Sequence, residues 1–73
     1  MYFGGMYNGM RHGWGVYVTK NSLYEGHFSL NHKMGKGYSV FPNGATYYGD
    51  FINDKPHGHG LLTMGQEYYM GDF

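Results

Sequence analysis

Aromatic residues and glycines alternate with polar or variable residues in a short stretch that recurs along this chain. The stretch has the form Tyr-x-Gly-x-Phe at residues 24–28, 47–51 and 69–73, and a looser copy, with Met6 in place of the last aromatic residue, lies at residues 2–6. The first tyrosines of successive copies are 22, 23 and 22 residues apart. Residues two apart share one face of a β-strand, so we predict a strand at each copy.

A second motif keeps the same period. A Gly-x-Gly begins seven residues after each of the first three copies ends, at residues 13–15, 35–37 and 58–60. Two motifs that stay in phase over three periods indicate a stacked repeat, and the polar residues between them favour turns. Each period is therefore predicted to form one β-hairpin. The predicted tips lie at residues 8–11, 30–33 and 53–56, and the predicted links between hairpins lie at 20–22, 42–45 and 64–66.

The same period predicts how the two strands of a hairpin pair. A turn at the centre of the 30–33 tip places Tyr24 opposite Ser39 and Phe28 opposite Gly35. The further predicted pairs are Gly26 with Gly37, Met6 with Gly13, and Phe51 with Gly58. A ring can lie flat where the neighbouring strand has no side chain, and it then shields a glycine that would otherwise weaken the sheet. Each constant aromatic residue is thus predicted to lie over a glycine of its own partner strand.

No segment has the 3.6-residue period of an amphipathic helix. The chain is therefore predicted to be all-β: an elongated single-layer array of stacked antiparallel β-hairpins, with no helix, forming a single array over residues 1–73. The units span about residues 2–23, 24–46 and 47–68, and residues 69–73 form a half unit. The half unit supplies a first strand without its partner, so we expect an open sheet edge that belongs to a longer array or pairs with a neighbouring chain.

Composition narrows the classes of function. The 73 residues contain no cysteine, which excludes a thiolate metal site and favours a cytoplasmic location. The formal net charge is zero, whereas nucleic-acid binding favours a basic excess, so no nucleic-acid partner is predicted. No apolar run approaches the ~20 residues of a transmembrane helix, so no transmembrane segment is predicted.

The repeated residues resemble the MORN repeat (membrane occupation and recognition nexus). The resemblance rests on Tyr-x-Gly-x-Phe, a polar turn and His-Gly-x-Gly, matched at residues 24–37 and 47–60, with a looser copy at 2–15 and a half copy at 69–73. One departure is Met34, which stands where the other copies have His12 and His57. The resemblance implies an elongated hairpin array without catalytic residues, of the kind that serves as a scaffold or as a dimerisation or docking surface.

Repeats similar to these occur in proteins of ciliary radial spokes and apicomplexan cytoskeletal rings and in junctional membrane proteins. They also occur beside the catalytic domains of some lipid kinases and histone methyltransferases. The resemblance therefore implies a non-enzymatic scaffold that binds protein partners in a larger cytoskeletal or ciliary assembly, with self-association through sheet edges included. Two alternatives stay open. One is a peripheral membrane module that binds anionic phospholipid headgroups, and the other is a targeting or regulatory array of an enzyme whose catalytic domain lies outside this chain.

An aromatic ladder on one face of the sheet is the first candidate for binding a partner. Its predicted members are Tyr24, Phe28, Tyr47, Phe51, Tyr69 and Phe73. Part of such a ladder packs between neighbouring hairpins, and any part left open forms an aromatic groove. The opposite face carries Trp14, Val16, Tyr38, Val40 and Leu61, so the sequence leaves open which face is presented.

A row of basic residues is the second candidate. Arg11, Lys33 and Lys55 are spaced 22 and 22 residues apart at the hairpin tips, so they are predicted to line one edge of the stack. Such a row suits anionic lipid headgroups or an acidic partner, although each basic residue contributes only ~1 kcal/mol at an anionic surface. Solvated, positively charged tips are the simpler interpretation.

Metal and catalytic sites are not predicted. His57 and His59 form a His-x-His, but two ligands fall short of the usual three or four, and His57 shares its repeat position with His12. No Ser-His-Asp set and no cysteine nucleophile stands out. The glycines recur at the repeat period and open no helix, so they do not form a phosphate loop. We therefore expect no cofactor and no enzymatic activity.

Overall fold

The Tyr-x-Gly-x-Phe and Gly-x-Gly segments form alternate strands of one sheet. A computed structural model describes residues 1–73 in full. Its strands are β1 (Tyr2–Tyr7), β2 (Met10–Val18), β3 (Leu23–Ser29), β4 (His32–Val40), β5 (Thr46–Ile52), β6 (Lys55–Met64) and β7 (Glu67–Asp72). All neighbours are antiparallel and follow chain order from β1 to β7. All strands belong to one open sheet and no helix forms, which confirms the predicted fold class. In particular, the chain has no helix long and apolar enough to span a membrane.

Each hairpin closes through a two-residue turn. The turn residues are Asn8 and Gly9, Leu30 and Asn31, and Asn53 and Asp54, and φ is positive at both positions of each turn. This is the geometry of the type I′ turn, whose twist matches that of the flanking strands. Leu30, with φ of 47°, is the unexpected residue, because a bulky side chain rarely adopts this conformation. The turns lie inside the predicted tips.

The predicted register is correct in the inner half of each hairpin and wrong near the tip. Tyr24 does pair with Ser39, but Phe28 pairs with Lys33 rather than Gly35. The same correction applies to Met6, which pairs with Arg11, and to Phe51, which pairs with Pro56. The turn is centred one residue earlier than predicted, and a β-bulge in the second strand takes up the extra residues. The phenylalanines do lie opposite glycines, but of the preceding hairpin: Phe28 pairs with Gly13 and Phe51 with Gly35.

The core is a continuous ladder of aromatic rings on one face of the sheet, which we call the core face. Tyr24, Phe28, Tyr47 and Phe51 are all at most 4% exposed. Along the ladder the rings follow the order Tyr2, Phe28, Tyr24, Phe51, Tyr47, Phe73 and Tyr69, and successive rings meet edge to face with centroids 5.0–5.4 Å apart. Edge-to-face geometry is the favoured arrangement of aromatic pairs. Because each interior tyrosine contacts the phenylalanine of its own unit and that of the next unit, the ladder joins neighbouring hairpins.

The second glycine of each Gly-x-Gly provides the space in which a tyrosine ring lies. A Cβ added to Gly37 would meet the Tyr24 ring, with Cε1 at 2.5 Å and Cζ at 2.7 Å, and Gly60 has the same relation to Tyr47. The Tyr24 hydroxyl then donates a 2.8 Å hydrogen bond to the His27 carbonyl. The first glycine has another role: Gly35 has φ of 76° in the bulge, a conformation that favours glycine. The predicted ring-over-glycine contact therefore exists, but it is made by the tyrosine and the second glycine.

Candidate interaction surface

The aromatic ladder is mostly interior. Tyr24, Phe28, Tyr47 and Phe51 pack against each other, and partly buried Tyr2, Tyr17, Phe41 and Leu62 pack around them. Burial raises the pKa of Tyr24 to about 12, with a further contribution from the charge of Asp54. Only the last two members of the predicted set are open, since Tyr69 is 51% and Phe73 38% exposed. The interior four thus hold the hairpins together, and the rings at the two ends of the ladder, Tyr2, Tyr69 and Phe73, are less buried.

Two of the three basic tip residues lie across the core rings. The Arg11 guanidinium carbon is 4.9 Å from the ring centroid of Tyr17 and 5.3 Å from that of Phe28. The Lys33 ammonium is 4.9 Å from the ring centroid of Tyr24. These are cation–π distances. Burial lowers the pKa of Lys33 and the nearby Arg11 charge adds to the effect, although Asp54 opposes it.

The third basic tip residue, Lys55, is exposed at the start of β6 and makes no such ring contact. The predicted row therefore does not form three equivalent free charges. Arg11 and Lys33 pair with Met6 and Phe28 and cover the aromatic core, whereas Lys55 pairs with Ile52, one position away from their equivalent, Pro56.

The hairpin tips are joined by side-chain oxygens of the turns. Asn31 Oδ1 accepts a 2.8 Å hydrogen bond from the Arg11 backbone N–H, and Asp54 Oδ1 accepts one of the same length from the Lys33 backbone N–H. The other Asp54 oxygen lies 3.0 Å from Nδ1 of His32. Burial alone would raise the pKa of Asp54, but the hydrogen bonds from Lys33 and His32 lower it below its ordinary value. The second turn residue thus ties each unit to the preceding one.

His12 and Met34, at the same repeat position, accept equivalent hydrogen bonds from the next unit. Nδ1 of His12 accepts a 3.2 Å hydrogen bond from the Leu30 backbone N–H, and the Met34 sulfur accepts one of the same length from the Asn53 backbone N–H. This explains why methionine can replace histidine at the repeat position. His59 lies 2.7 Å from an Asp72 oxygen at the surface. The structure brings together no group of three or more His, Cys, Asp or Glu side chains that could hold a metal ion.

The face opposite the core face, which we call the open face, carries a row of side chains that crosses every strand. Directly paired residues follow one another in the order Phe3, Val16, Glu25, Tyr38, Tyr48, Leu61 and Met70. Six of these seven are apolar or aromatic, and no second layer covers them. Phe3, Tyr48 and Met70 are 61%, 58% and 70% exposed. An exposed apolar surface of this kind, interrupted here by Glu25, is a candidate interaction site.

Charged pairs flank this row on the open face. Lys36 Nζ lies 2.8 Å from an oxygen of Asp50. The hydrogen bond between them raises the pKa of Lys36 and lowers that of Asp50. The indole of Trp14, which is 53% exposed, meets the His27 ring edge to face at 5.0 Å between centroids. The open face is thus an apolar row with a polar and aromatic border, which is how interface patches are built.

The sequence placed Val16, Tyr38 and Leu61 of this row on the face opposite the ladder, but it favoured the ladder as the binding surface. Both faces carry aromatic side chains at period two, so alternation alone could not separate interior from surface. The useful signal was the second glycine of each Gly-x-Gly. It admits a ring onto the core face, whereas Tyr38, Tyr48 and Leu61 on the open face lie opposite side chains.

Comparison with known proteins supports the interpretation of the repeats. The MORN repeat family matches residues 2–22, 24–46 and 47–65. The chain is 33% identical over 72 residues to Alsin of Mus musculus and to Alsin of Homo sapiens, and 32% identical to Alsin of Rattus norvegicus. These alignments cover 90% of this chain and 4% of each relative, so the chain spans a small fraction of the relatives' length. The match and the hairpin sheet together lead to one conclusion: the chain belongs to the MORN repeat family.

Proposed function

We propose that this chain is a non-enzymatic interaction module that binds a protein partner and serves as a scaffold. Its place would be a cytoplasmic assembly of cytoskeletal or ciliary type. The proposed mechanism is geometric: a single sheet, held rigid by its aromatic ladder, presents a surface of fixed spacing. MORN repeats serve as interaction or membrane-binding modules, and the proposal selects the first of these uses.

The observation that carries the proposal is the open face. A row of paired side chains from Phe3 to Met70 crosses all seven strands and is uncovered. The core face offers much less, because its interior rings are buried and its two interior cations lie on them. Aromatic and methionine side chains are enriched in protein interfaces, and most of the binding energy of an interface comes from a few such residues. We therefore assign partner binding to the open face rather than to the predicted ladder on the core face, of which only Tyr69 and Phe73 are exposed.

The experiment compares the proteins that the intact chain captures from cell extract with those captured by a variant that carries Tyr48→Ser and Leu61→Ser. Captured proteins are identified by mass spectrometry, and the binding of each purified candidate is then measured by calorimetry. A control variant carries Lys20→Ser and Asn21→Ser in an exposed link. Circular dichroism must show that all three forms keep the sheet. The proposal predicts a partner whose affinity falls at least tenfold in the open-face variant and is unchanged in the link variant.

Two outcomes would contradict the proposal. Equal affinity for the intact chain and the open-face variant would remove the open face as the site. Binding to anionic liposomes that fades with salt, without any protein partner, would favour the membrane alternative, since surface charge is screened by salt. The structure disfavours that alternative because Arg11 and Lys33 are engaged with aromatic rings.

The second candidate is a targeting or regulatory array beside a catalytic domain. It is supported by the small share of the relatives that this chain covers, which shows that similar arrays occur within much longer proteins. Partner binding by the open face would serve both candidates. They differ in whether the full-length protein has an activity that changes when the open face is altered.

A further inference from the structure

A cleft on the open face lies between β2 and β5. It has a volume of about 290 Å³ and is lined by Trp14, Glu25, Lys36, Gly37, Tyr38 and Tyr48. Three of these six residues are aromatic, and all three are exposed: Trp14 by 53%, Tyr38 by 39% and Tyr48 by 58%. The cleft is therefore open to a side chain from another molecule.

Strand pairing places a carboxylate among the rings. Glu25 pairs directly with Tyr38, and Tyr38 pairs directly with Tyr48. Directly paired side chains have Cβ atoms about 5 Å apart. Trp14 lies on β2, the neighbour of β3 on the side away from β4. It pairs with His27, two residues further along β3 than Glu25, and is therefore diagonal to Glu25. The contact with His27 holds the indole in place.

The charges of the cleft do not balance. Lys36 is already neutralised by Asp50 at 2.8 Å. Glu25, in contrast, forms no ion pair: the ion pairs of the chain are His32 with Asp54, Lys36 with Asp50 and His59 with Asp72. Glu25 is thus the one uncompensated charge of the lining, and it lies beside aromatic faces. Carboxylates and aromatic faces both attract cations.

We infer that this cleft binds an arginine side chain presented by the partner protein. The inference rests on the proposed function and names the chemistry that the partner must bring to this part of the open face. A guanidinium is planar, so it can stack on a tyrosine or tryptophan ring while its N–H groups donate to a carboxylate. The cleft supplies both elements within neighbouring strands. An ammonium group is attracted to the carboxylate and to the rings, but it has no plane to stack on a ring and no fork of donors for the carboxylate. A neutral planar side chain can stack but lacks the charge.

The test uses the single tryptophan of the chain as a reporter, since Trp14 lines the cleft. The intact chain is titrated with the capped peptide Gly-Ser-Arg-Ser-Gly and with the same peptide containing citrulline or lysine in place of arginine. Citrulline keeps the planar shape and removes the charge. We expect a saturable change of Trp14 fluorescence with a millimolar dissociation constant for the arginine peptide, and about fivefold weaker binding of the other two.

The Glu25→Gln variant identifies the carboxylate. It should weaken binding of the arginine peptide about fivefold and leave that of the citrulline peptide unchanged. A matched Glu67→Gln variant, which removes another exposed acid on β7, should bind like the intact chain. Glu25 is exposed and forms no contact in the sheet ladder that glutamine would lose, so circular dichroism should be unchanged for both variants.

Several results would overturn the inference. Equal binding of the arginine and citrulline peptides would show that charge has no role, and equal binding of the arginine and lysine peptides would remove arginine as the preferred ligand. No effect of Glu25→Gln would remove the carboxylate. Absence of peptide binding, together with a protein partner that needs Tyr48 and Leu61, would refute the arginine site and leave the proposed function in place. Absence of both would refute both.

Discussion

Each unit of the array should depend on the contact between its first tyrosine ring and the second glycine of its Gly-x-Gly. The Gly15→Ala variant tests this contact in the first unit. A Cβ at Gly15 would meet the ring of Tyr2, with Cε1 at 2.6 Å and Cζ at 2.7 Å. Carbon atoms at optimal separation are about 3.5–4.0 Å apart, so the ring must move. It would then leave its edge-to-face contact with Phe28, whose centroid is 5.4 Å away.

The expected cost follows from these contacts. Overpacking a core site costs about 1–3 kcal/mol, which includes the loss of an aromatic pair of about 0.5–1.5 kcal/mol. Replacing a strand glycine by alanine recovers up to about 1 kcal/mol of backbone entropy. The net loss of unfolding free energy should therefore be about 1–2 kcal/mol. A chain of 73 residues has a stability of about 4–11 kcal/mol, so the variant should stay folded.

A double-mutant cycle separates the clash from every other effect of alanine. With Tyr2→Ala already present, the obstructing ring is gone, and Gly15→Ala should become neutral or slightly stabilising. The coupling between the two changes should be about 2 kcal/mol. Gly13→Ala is the matched control: no atom lies within 4 Å of its added Cβ, but its φ of 87° makes alanine cost about 1–2 kcal/mol in either background.

Urea denaturation followed by circular dichroism measures all of these free energies. If Gly15→Ala were equally costly with and without the Tyr2 ring, the cost would come from the backbone, and the assignment of the second glycine to ring packing would be wrong. Coupling between Gly13 and Tyr2 of the same size would refute it equally, because the two residues do not touch.

Three further predictions concern the tips, the core and the open face. Asp54→Asn should reduce acid sensitivity while keeping the hydrogen bond to Lys33. A carboxyl with a lowered pKa stabilises the fold above its unfolded pKa, and this stabilisation is lost as pH falls through the folded pKa, so urea denaturation from pH 6 down to about pH 2 should show a smaller loss of unfolding free energy in the variant. Burial raises the pKa of Tyr24 to about 12, so the neutral phenol stabilises the fold fully below about pH 10, and this stabilisation is lost between about pH 10 and 12. The intact chain should lose at most about 3 kcal/mol of unfolding free energy from this residue across that range, and Tyr24→Phe should make the unfolding free energy less dependent on pH there. Phe51→Ala should cost about 3–5 kcal/mol in thermal or urea unfolding, whereas Tyr48→Ala, on the open face, should cost at most about 1 kcal/mol, from its cross-strand pairs.

Much of the fold follows from the sequence because the repeat constrains it three times over. The period of Tyr24, Gly26 and Phe28 fixes the strand and its face, and the pairs of Tyr24 with Ser39 and of Gly26 with Gly37 follow from the spacing of the two motifs. Near the tip the prediction fails because a bulge changes the pairing without changing the period. The left-handed conformation of Leu30 could not be predicted, because the residues that favour this conformation are glycine, asparagine and aspartate.

The surface was less predictable than the fold. A period of two residues assigns side chains to the two faces of the sheet but does not show which face becomes buried. Both faces carry aromatic residues, so composition does not show it either. Arg11 and Lys33 were expected as solvated tip charges, yet their long side chains return over the core rings, as basic side chains often do when apolar surface lies near them. The pair of Glu25 with Tyr38 follows from the predicted register of one hairpin. The pairs that join neighbouring hairpins, Trp14 with His27 and Tyr38 with Tyr48, do not follow from it, so the sequence alone does not assemble the cleft.

The order of the strands also determines how this sheet responds to force. Ladder hydrogen bonds in an antiparallel sheet run perpendicular to the strands, so a pull that separates β1 from β7 acts along the bonds and along the edge-to-face contacts that join one hairpin to the next. Bonds loaded in this direction open one pair at a time, whereas bonds loaded in shear, by a pull along the strands, resist together. The array should therefore extend under tension by successive release of hairpins and should resist sliding of one hairpin past another.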